Sequence, residues 1–257
     1  MPSVSTRSII LRRLEYGDSD LIITFFSIDH GKISLIAKSA KKSKKRFQGT
    51  LELFSESQIV YNKDRAKGLP VLQEASLINS FSNICRDIKK TAYAGYMAEI
   101  INEFLEEGIC QSSVYRLLKS ILFELDLRNI DEDTLSIIFQ IRFMILSGIG
   151  PNLGCCGICR TIIENINQKR IAFVLKQGAI ICERCLSAAS GVISLSKGTI
   201  KHLIWAGQND LEKALRVKFS HPAMIEAINF LEAFVQFHSG KEPKSLKFLR
   251  QIRSDKE

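Results

Sequence analysis

With 257 residues, 46% of them hydrophobic and 25% charged, the chain is long enough for about two domains and too apolar to remain disordered. Thirty-six Lys and Arg against 27 Asp and Glu give a formal charge of +9, an excess that favours nucleic acid or another anionic surface as partner. No run reaches the roughly 18 apolar residues of a membrane span; the most apolar stretch, SIIFQIRFMILSGIG, is interrupted by Arg142, and the N-terminal MPSVSTRSIILRR lacks the pattern of a secretion signal.

From residue 8 to about residue 77, β-rich runs alternate with turn clusters. The runs SIILRR, LIITFFS, ISLIAK, LELFSESQIVY and LPVLQEASL predict five strands, separated by YGDSD, DHGK, a basic run and NKDRAKG. Five short strands in so small a unit point to an OB-type barrel over residues 1–80, because closure removes exposed strand edges. After Phe81 the period changes. Ala92, Tyr93, Tyr96, Met97, Ile100, Ile101 and Phe104 recur at helical spacing, with Gly108 as the stop. SSVYRLLKSILFELD and DEDTLSIIFQIRFMILSGIG predict two more helices, the second ending at Gly150–Pro151. Helical spacing resumes in SKGTIKHLIWAGQ, LEKALRVKF and MIEAINFLEAFVQFHSG. The expected architecture is therefore α+β and multidomain, an N-terminal OB-type β-barrel followed by a helical bundle over residues 81–257 that carries a zinc-knuckle insertion at 152–190.

That insertion holds the strongest motif. Cys156 and Cys159 form one C-x2-C pair, and Cys182 and Cys185 form a second after 22 intervening residues. Two such knuckles joined by a hairpin complete a tetrahedral S4 site for one structural zinc ion. RIAFVLKQGAIICERC reads as that hairpin, with Gly178 at its turn. Rubredoxin-like iron uses the same ligands, and a redox CxxC needs a βα context that is absent from the pattern. Cys155 makes CCGIC ambiguous, since Cys155 with Cys159 is also a chelating pair. Cys85, Cys110 and Cys155 are left over, and the odd total of 7 argues against a disulfide framework and for a reducing cytosol.

No phosphate-binding GxxxxGK[ST] loop, GxSxG elbow or paired histidine motif occurs, so the sequence points away from an enzyme. Asp18 and Asp20 in YGDSD could be the metal ligands of a nuclease, but two acids between strands are more often turn-formers. The remaining feature is KSAKKSKKRF. Lys38, Lys41, Lys42, Lys44, Lys45 and Arg46 supply six cations with no acid, followed by Phe47, and residues 1–80 hold 13 Lys and Arg against 8 Asp and Glu. Such a loop suits phosphates, while Phe25, Phe26, Phe47 and Tyr61 offer rings on which bases could stack. Neighbouring strand residues alternate faces, so at most one of Phe25 and Phe26 can point outward.

The segment IILRRLEYGDSDLIITFFSIDHGKISLIAKSAKKSKKRFQGTLELFS resembles the N-terminal barrel of the bacterial RecO family of DNA repair proteins, with its "YGEsD", "HG", "KGarrpksRf" and "LepF" progression. The resemblance continues through AYAGYMAEIINEFLEEG, PNLGCCGICR, GAIICERC and KSLKFL, with KSA where KGA is usual and an extra Cys155. It implies a cytoplasmic, nucleoid-associated recombination mediator. Such a protein binds single- and double-stranded DNA, anneals complementary strands and, with RecR, helps load RecA onto strands coated by single-strand-binding protein. The acidic, hydrophobic tail of that protein is expected on the C-terminal region, where residues 195–257 hold 11 Lys and Arg against 7 Asp and Glu. An RNA-binding zinc-ribbon protein is the alternative, and a metal-dependent nuclease a weaker one.

Overall fold

The computed structural model describes residues 3–43, 46–47, 49–62, 68–127, 130–187 and 191–254. Strands β1 (Ser3–Tyr16), β2 (Asp20–Ser27), β3 (Gly31–Ala37), β4 (Glu56–Asn62) and β5 (Leu72–Asn79) make one antiparallel sheet in the order β3-β2-β1-β4-β5. Helices α1 (Ser82–Arg86), α2 (Ile88–Phe104), α3 (Ser112–Leu127) and α4 (Glu132–Leu146) follow. Next come β6 (Arg170–Val174), β7 (Ala179–Ile181) and β8 (Val192–Ser196), a second sheet ordered β7-β6-β8. Helices α5 (Lys197–Gln208), α6 (Leu211–Ala214), α7 (His221–Ser239) and α8 (Lys244–Ser254) complete the chain.

The first sheet exists because its strands carry apolar residues on alternate positions that meet in one cluster. Ile10, Leu21, Ile23, Phe25, Leu35 and Ile59 fill its inner face, and Leu72 closes it from β5. The expected barrel is not closed by a continuous ladder. Among the described residues β3 and β5 meet at one parallel bridge, Ile36 with Val71, where the Ile36 N–H donates to the Pro70 carbonyl at 2.9 Å. β3 stops at Ala37 as the chain turns into the basic loop, which leaves no strand length for further pairing. The predicted strand LELFSESQIVY is also shortened. Its first half is a turn in which Phe54 adopts φ 68°, and pairing begins at Glu56.

The helical region does not form one unit. Residues Met1–Arg128 with Pro243–Glu257 make one compact unit, and Asn129–Glu242 make the other. The sheet and the first helices share one compact unit because β2 is apolar on both faces. Phe25 and Phe26 are both fully buried, Phe25 in the inner cluster and Phe26 against Tyr115 of α3 with ring centroids 5.9 Å apart. Covering each ring contributes on the order of 1.5–3 kcal/mol, so the sheet requires a helical layer of its own. Polar contacts fix its position. The buried Glu56 carboxylate accepts from Tyr115 Oη at 3.0 Å and from Lys119 Nζ at 2.8 Å. Asp87 caps α2 by accepting from the N–H groups of Lys89 and Lys90, and Lys90 Nζ donates to the Leu125 and Asp126 carbonyls at the end of α3.

At the start of β3, residues Glu107–Ile109 run beside the strand; Gly108 N–H donates to the Lys32 carbonyl at 2.9 Å. Gly31 has φ +65°, and a Cβ there would lie 1.9 Å from the Ile109 carbonyl oxygen.

In the second unit, α4 is apolar nearly all round, and its buried residues include Leu135, Ile138, Phe139 and Phe143. Phe173 of β6 meets Phe230 of α7 at 4.7 Å in an edge-on pair. Glu226 of α7 holds the start of α5, accepting from Ser196 N–H at 3.0 Å, Thr199 Oγ1 at 2.7 Å and Arg170 at 2.6 Å. Partial burial opposes its ionisation, yet these donors outweigh that and hold the carboxyl down to about 2.

Two predictions follow from these contacts. Gly31→Ala should destabilise the protein by at least about 2 kcal/mol, since left-handed strain and a backbone clash coincide, whereas Gly240→Ala, with φ +69° and nothing within 4 Å, should cost only about 1 kcal/mol; urea unfolding compares them. Glu226 contributes stability above the usual carboxylate pKa of about 4.3, and that contribution fades as pH falls toward 2. Glu226→Gln should therefore lower the melting temperature at pH 7, with the gap from wild type narrowing below about pH 4.

Candidate nucleic-acid interface and metal centre

The basic run begins where β3 ends and is fastened to the β1–β2 turn. Asp20 Oδ1 accepts from the Ser39 N–H at 2.7 Å, and the Ser19 carbonyl accepts from the Lys41 N–H at 3.0 Å. Ser39 takes a left-handed conformation, φ 55°, and starts a single 3-10 turn at Ala40–Lys42. YGDSD is therefore the mooring of the loop, and Asp20 Oδ1 is engaged by the Ser39 amide and, at 3.3 Å, by the Ser19 hydroxyl.

The expected contact residues divide by what they touch. Lys38 and Lys42 are exposed, with no ion pair or side-chain hydrogen bond among the described residues. Lys41 Nζ lies 2.8 Å from Glu15 Oε2 and 3.3 Å from the Gly17 carbonyl, and its ammonium holds the Glu15 carboxyl below the ordinary range. Arg46 donates to the Lys38 carbonyl at 3.1 Å and lays its guanidinium over the Phe47 ring at 5.1 Å. Phe47 itself is only 5% exposed and belongs to the sheet core, so it cannot stack a base. Phe25, Phe26 and Tyr61 are buried as well. Lys44 and Lys45 lie outside the described residues.

An aromatic that pattern reading missed stands beside the loop. A bulge in β1 between Ile10 and Arg12 shifts its phase. Beyond it, Arg12, Leu14 and Tyr16 pair with Thr24, Ile22 and Asp20 on the face away from Leu21 and Ile23. All three are exposed, Tyr16 at 55%. A cation, an aliphatic side chain and a ring thus form a stripe at the root of the basic run. The signal lay in RRLEY, where Arg12, Leu14 and Tyr16 fall on alternate positions of a strand, but the bulge hid which face they share.

The second site is built on the β6–β7 hairpin. Gly178 turns it with φ 59°, and β7 delivers Cys182 directly after Ile181. The first knuckle lies alongside β7, with Asn152 N–H donating to the Gly178 carbonyl at 2.8 Å and Gly157 N–H to the Ile180 carbonyl at 2.9 Å. Each knuckle is a tight turn. Arg160 N–H donates to the Cys156 carbonyl at 3.0 Å, and Cys185 N–H to the Cys182 carbonyl at 2.9 Å. The Sγ atoms of Cys156, Cys159, Cys182 and Cys185 all lie within 4.8 Å of one another. A tetrahedral S4 site with metal–sulfur bonds of about 2.3 Å has sulfurs about 3.8 Å apart, so this set can hold a metal ion. Cys155 is outside this group, its sulfur 3.7 Å from the Asn152 amide nitrogen.

Hydrogen bonds within the cluster shift its thiols in opposite directions. The Thr161 hydroxyl holds the Cys159 thiol down to about 6, while hydrogen bonding to Cys182 pushes Cys185 up to about 12. Four sulfurs so close repel one another as thiolates, and a divalent ion removes that repulsion. An ion held by all four cysteines would have a closed coordination sphere with no position for substrate.

The N-terminal model of Recombination protein O matches residues 1–81, and its C-terminal model matches residues 85–247. The chain is 45% identical to the DNA repair protein RecO of Desulfatibacillum aliphaticivorans over 98% of both chains. It is 37% identical to that of Desulfosudis oleivorans, over 98% of this chain and 99% of the relative. For Syntrophus aciditrophicus the identity is 34%, over 96% and 95%.

Cys182→Ser should lose the bound metal and melt the 152–187 segment at a lower temperature than the rest, because structural ions of this kind contribute on the order of 10 kcal/mol or more of apparent binding free energy. Cys155→Ser should keep a full complement of one ion per chain. Elemental analysis of protein purified without chelators, with hydrogen exchange over the segment, checks both.

Proposed function

Because the chain belongs to the RecO family of recombination proteins, mediators of DNA repair, we propose that it binds single- and double-stranded DNA at the loop rim of its first sheet and anneals complementary strands there. With RecR it assists loading of RecA onto strands coated by single-strand-binding protein, whose acidic, hydrophobic tail docks on the C-terminal region. The work is done in the cytoplasm at the nucleoid. No helix among the described residues is long and apolar enough to cross a membrane.

The observation that carries this reading is the mooring of a six-cation loop by Asp20 and Ser19 beside the exposed stripe Arg12, Leu14 and Tyr16. Annealing makes and breaks no covalent bond. It requires two phosphate backbones to be neutralised at one surface, which Lys38, Lys42 and their neighbours can supply, while a ring such as Tyr16 holds bases unstacked for pairing. We read the curled sheet, with β3 and β5 meeting at Ile36 and Val71, as a partly open OB-type barrel. The four-cysteine centre holds one structural zinc in this reading, supported by its closed S4 set and its hairpin setting.

A strand-annealing assay without nucleotide tests the proposal directly, and competition between RNA and DNA of equal length separates it from an RNA-binding role. Replacing Lys41, Lys42, Lys44, Lys45 and Arg46 by Ala should weaken binding equally for all sequences, since phosphate contacts carry no base information. Each lost contact should flatten the slope of log K against log salt by about 0.7 on single strands and about 0.9 on duplex. Annealing should fall with binding while metal content stays unchanged. A five-fold variant that binds and anneals like wild type across a salt titration would show the loop to be merely solvated.

A further inference from the structure

Helix α8 returns the chain from the second unit to the first, where it packs on α2. Its docking is tight. Leu246 and Leu249 are fully buried, and the Glu99 carboxylate of α2 accepts from the N–H groups of Lys244 at 3.0 Å and Ser245 at 2.7 Å. At the other end Arg253 donates to Tyr93 Oη at 3.0 Å and stacks on its ring at 5.1 Å. The helix is thus fixed at both ends, and the face it turns outward is held in place. Lys244, Lys247, Phe248 and Gln251, at spacings of three and four, make up that face, and all are exposed.

Its chemistry is selective. The eleven residues of α8 include Lys244, Lys247, Arg250 and Arg253 and no acid. The Lys244 and Lys247 ammonium groups have no partner among the described residues, and between them and Gln251 stands Phe248, 42% exposed. A helix that has already buried Leu246 and Leu249 gains nothing for its fold by exposing a Phe flanked by unpaired cations. Cations with an outward ring are the combination that grips a single strand, as charge for phosphates and a face for a base. In the basic loop the ring is taken by the core; here it is free.

We propose that the outer face of α8, through Lys244, Lys247 and Phe248, is a second nucleic-acid contact on the same compact unit as the basic loop, and that it takes a single strand. The inference rests on the DNA-binding reading above and adds a separable site to it. One unit carrying two grips can hold two strands, or two stretches of one strand, which annealing requires.

The test uses the full-length protein and fluorescent oligonucleotides. Lys244→Ala with Lys247→Ala should flatten the single-strand salt slope by about 1.4, from two contacts of about 0.7 each. Phe248→Ala should leave the slope unchanged, weaken single-strand binding about fivefold or more, and spare duplex binding. Lys247→Glu should weaken binding further than Lys247→Ala. Thermal melting of each variant verifies the fold, which these exposed side chains do not support. If wild type binds DNA and the α8 variants match it in affinity and slope, the face serves a protein partner or only solvent, and this inference falls while the functional reading stands. If wild type binds no DNA, both fall. Loss of binding in the five-fold loop variant alone, with the α8 variants unaffected, likewise overturns the second site.

Discussion

The burial of β2 on both faces is the constraint from which the first unit follows. Adjacent strand residues must point to opposite sides, and in LIITFF nearly every residue is apolar, so neither side can be left to water. Phe25 closes the inner cluster and Phe26 demands an outer layer, which α3 supplies through Tyr115. The Glu56 carboxylate then anchors that layer to β4 through Tyr115 and Lys119. Removing one partner of so buried a charge typically costs about 3–5 kcal/mol, so the helix cannot slide along the sheet without penalty.

One rim of the sheet that stays exposed is the far end of β1. Past the bulge in β1 the strand outruns the helical layer, and Arg12, Leu14 and Tyr16 emerge on its open face. The basic loop is tied to the same rim by Asp20 and Ser19. Charge and an aromatic ring are therefore brought together by strand register and loop anchoring, with both cations and ring carried on a scaffold whose core is closed elsewhere. Two acids near the loop are engaged: Glu15 pairs with Lys41, and Asp20 accepts from the Ser39 amide.

The two functional features are held by different means. Around the loop, hydrogen bonds to backbone groups fix the path while leaving Lys38 and Lys42 in solvent. Around the cysteines, a hairpin and two turns bring four sulfurs within 4.8 Å, and a bound ion would tie the two knuckles together. The Phe173, Phe230 and Phe234 cluster supports β6 from beneath, so the hairpin has a core on one side and the cysteine centre at its end.

The five strands of the first sheet, the long helices, the hairpin turn at Gly178 and the grouping of four cysteines were all legible in the sequence. These are local properties: apolar period, a glycine free to adopt positive φ, and the reach of a C-x2-C turn. Long-range packing set the rest: that LELF is a turn, that β8 pairs beside β6, that α1 to α3 and α8 share a compact unit with the sheet, and that among the described residues the sheet's edges meet at one bridge. It also separated aromatic residues in similar sequence settings. Phe47 follows six cations and is core, while Tyr16 and Phe248 are exposed beside theirs, and no spacing rule separates these cases. Which ring is buried depends on which face another segment covers, and that is a long-range contact between residues far apart in the chain.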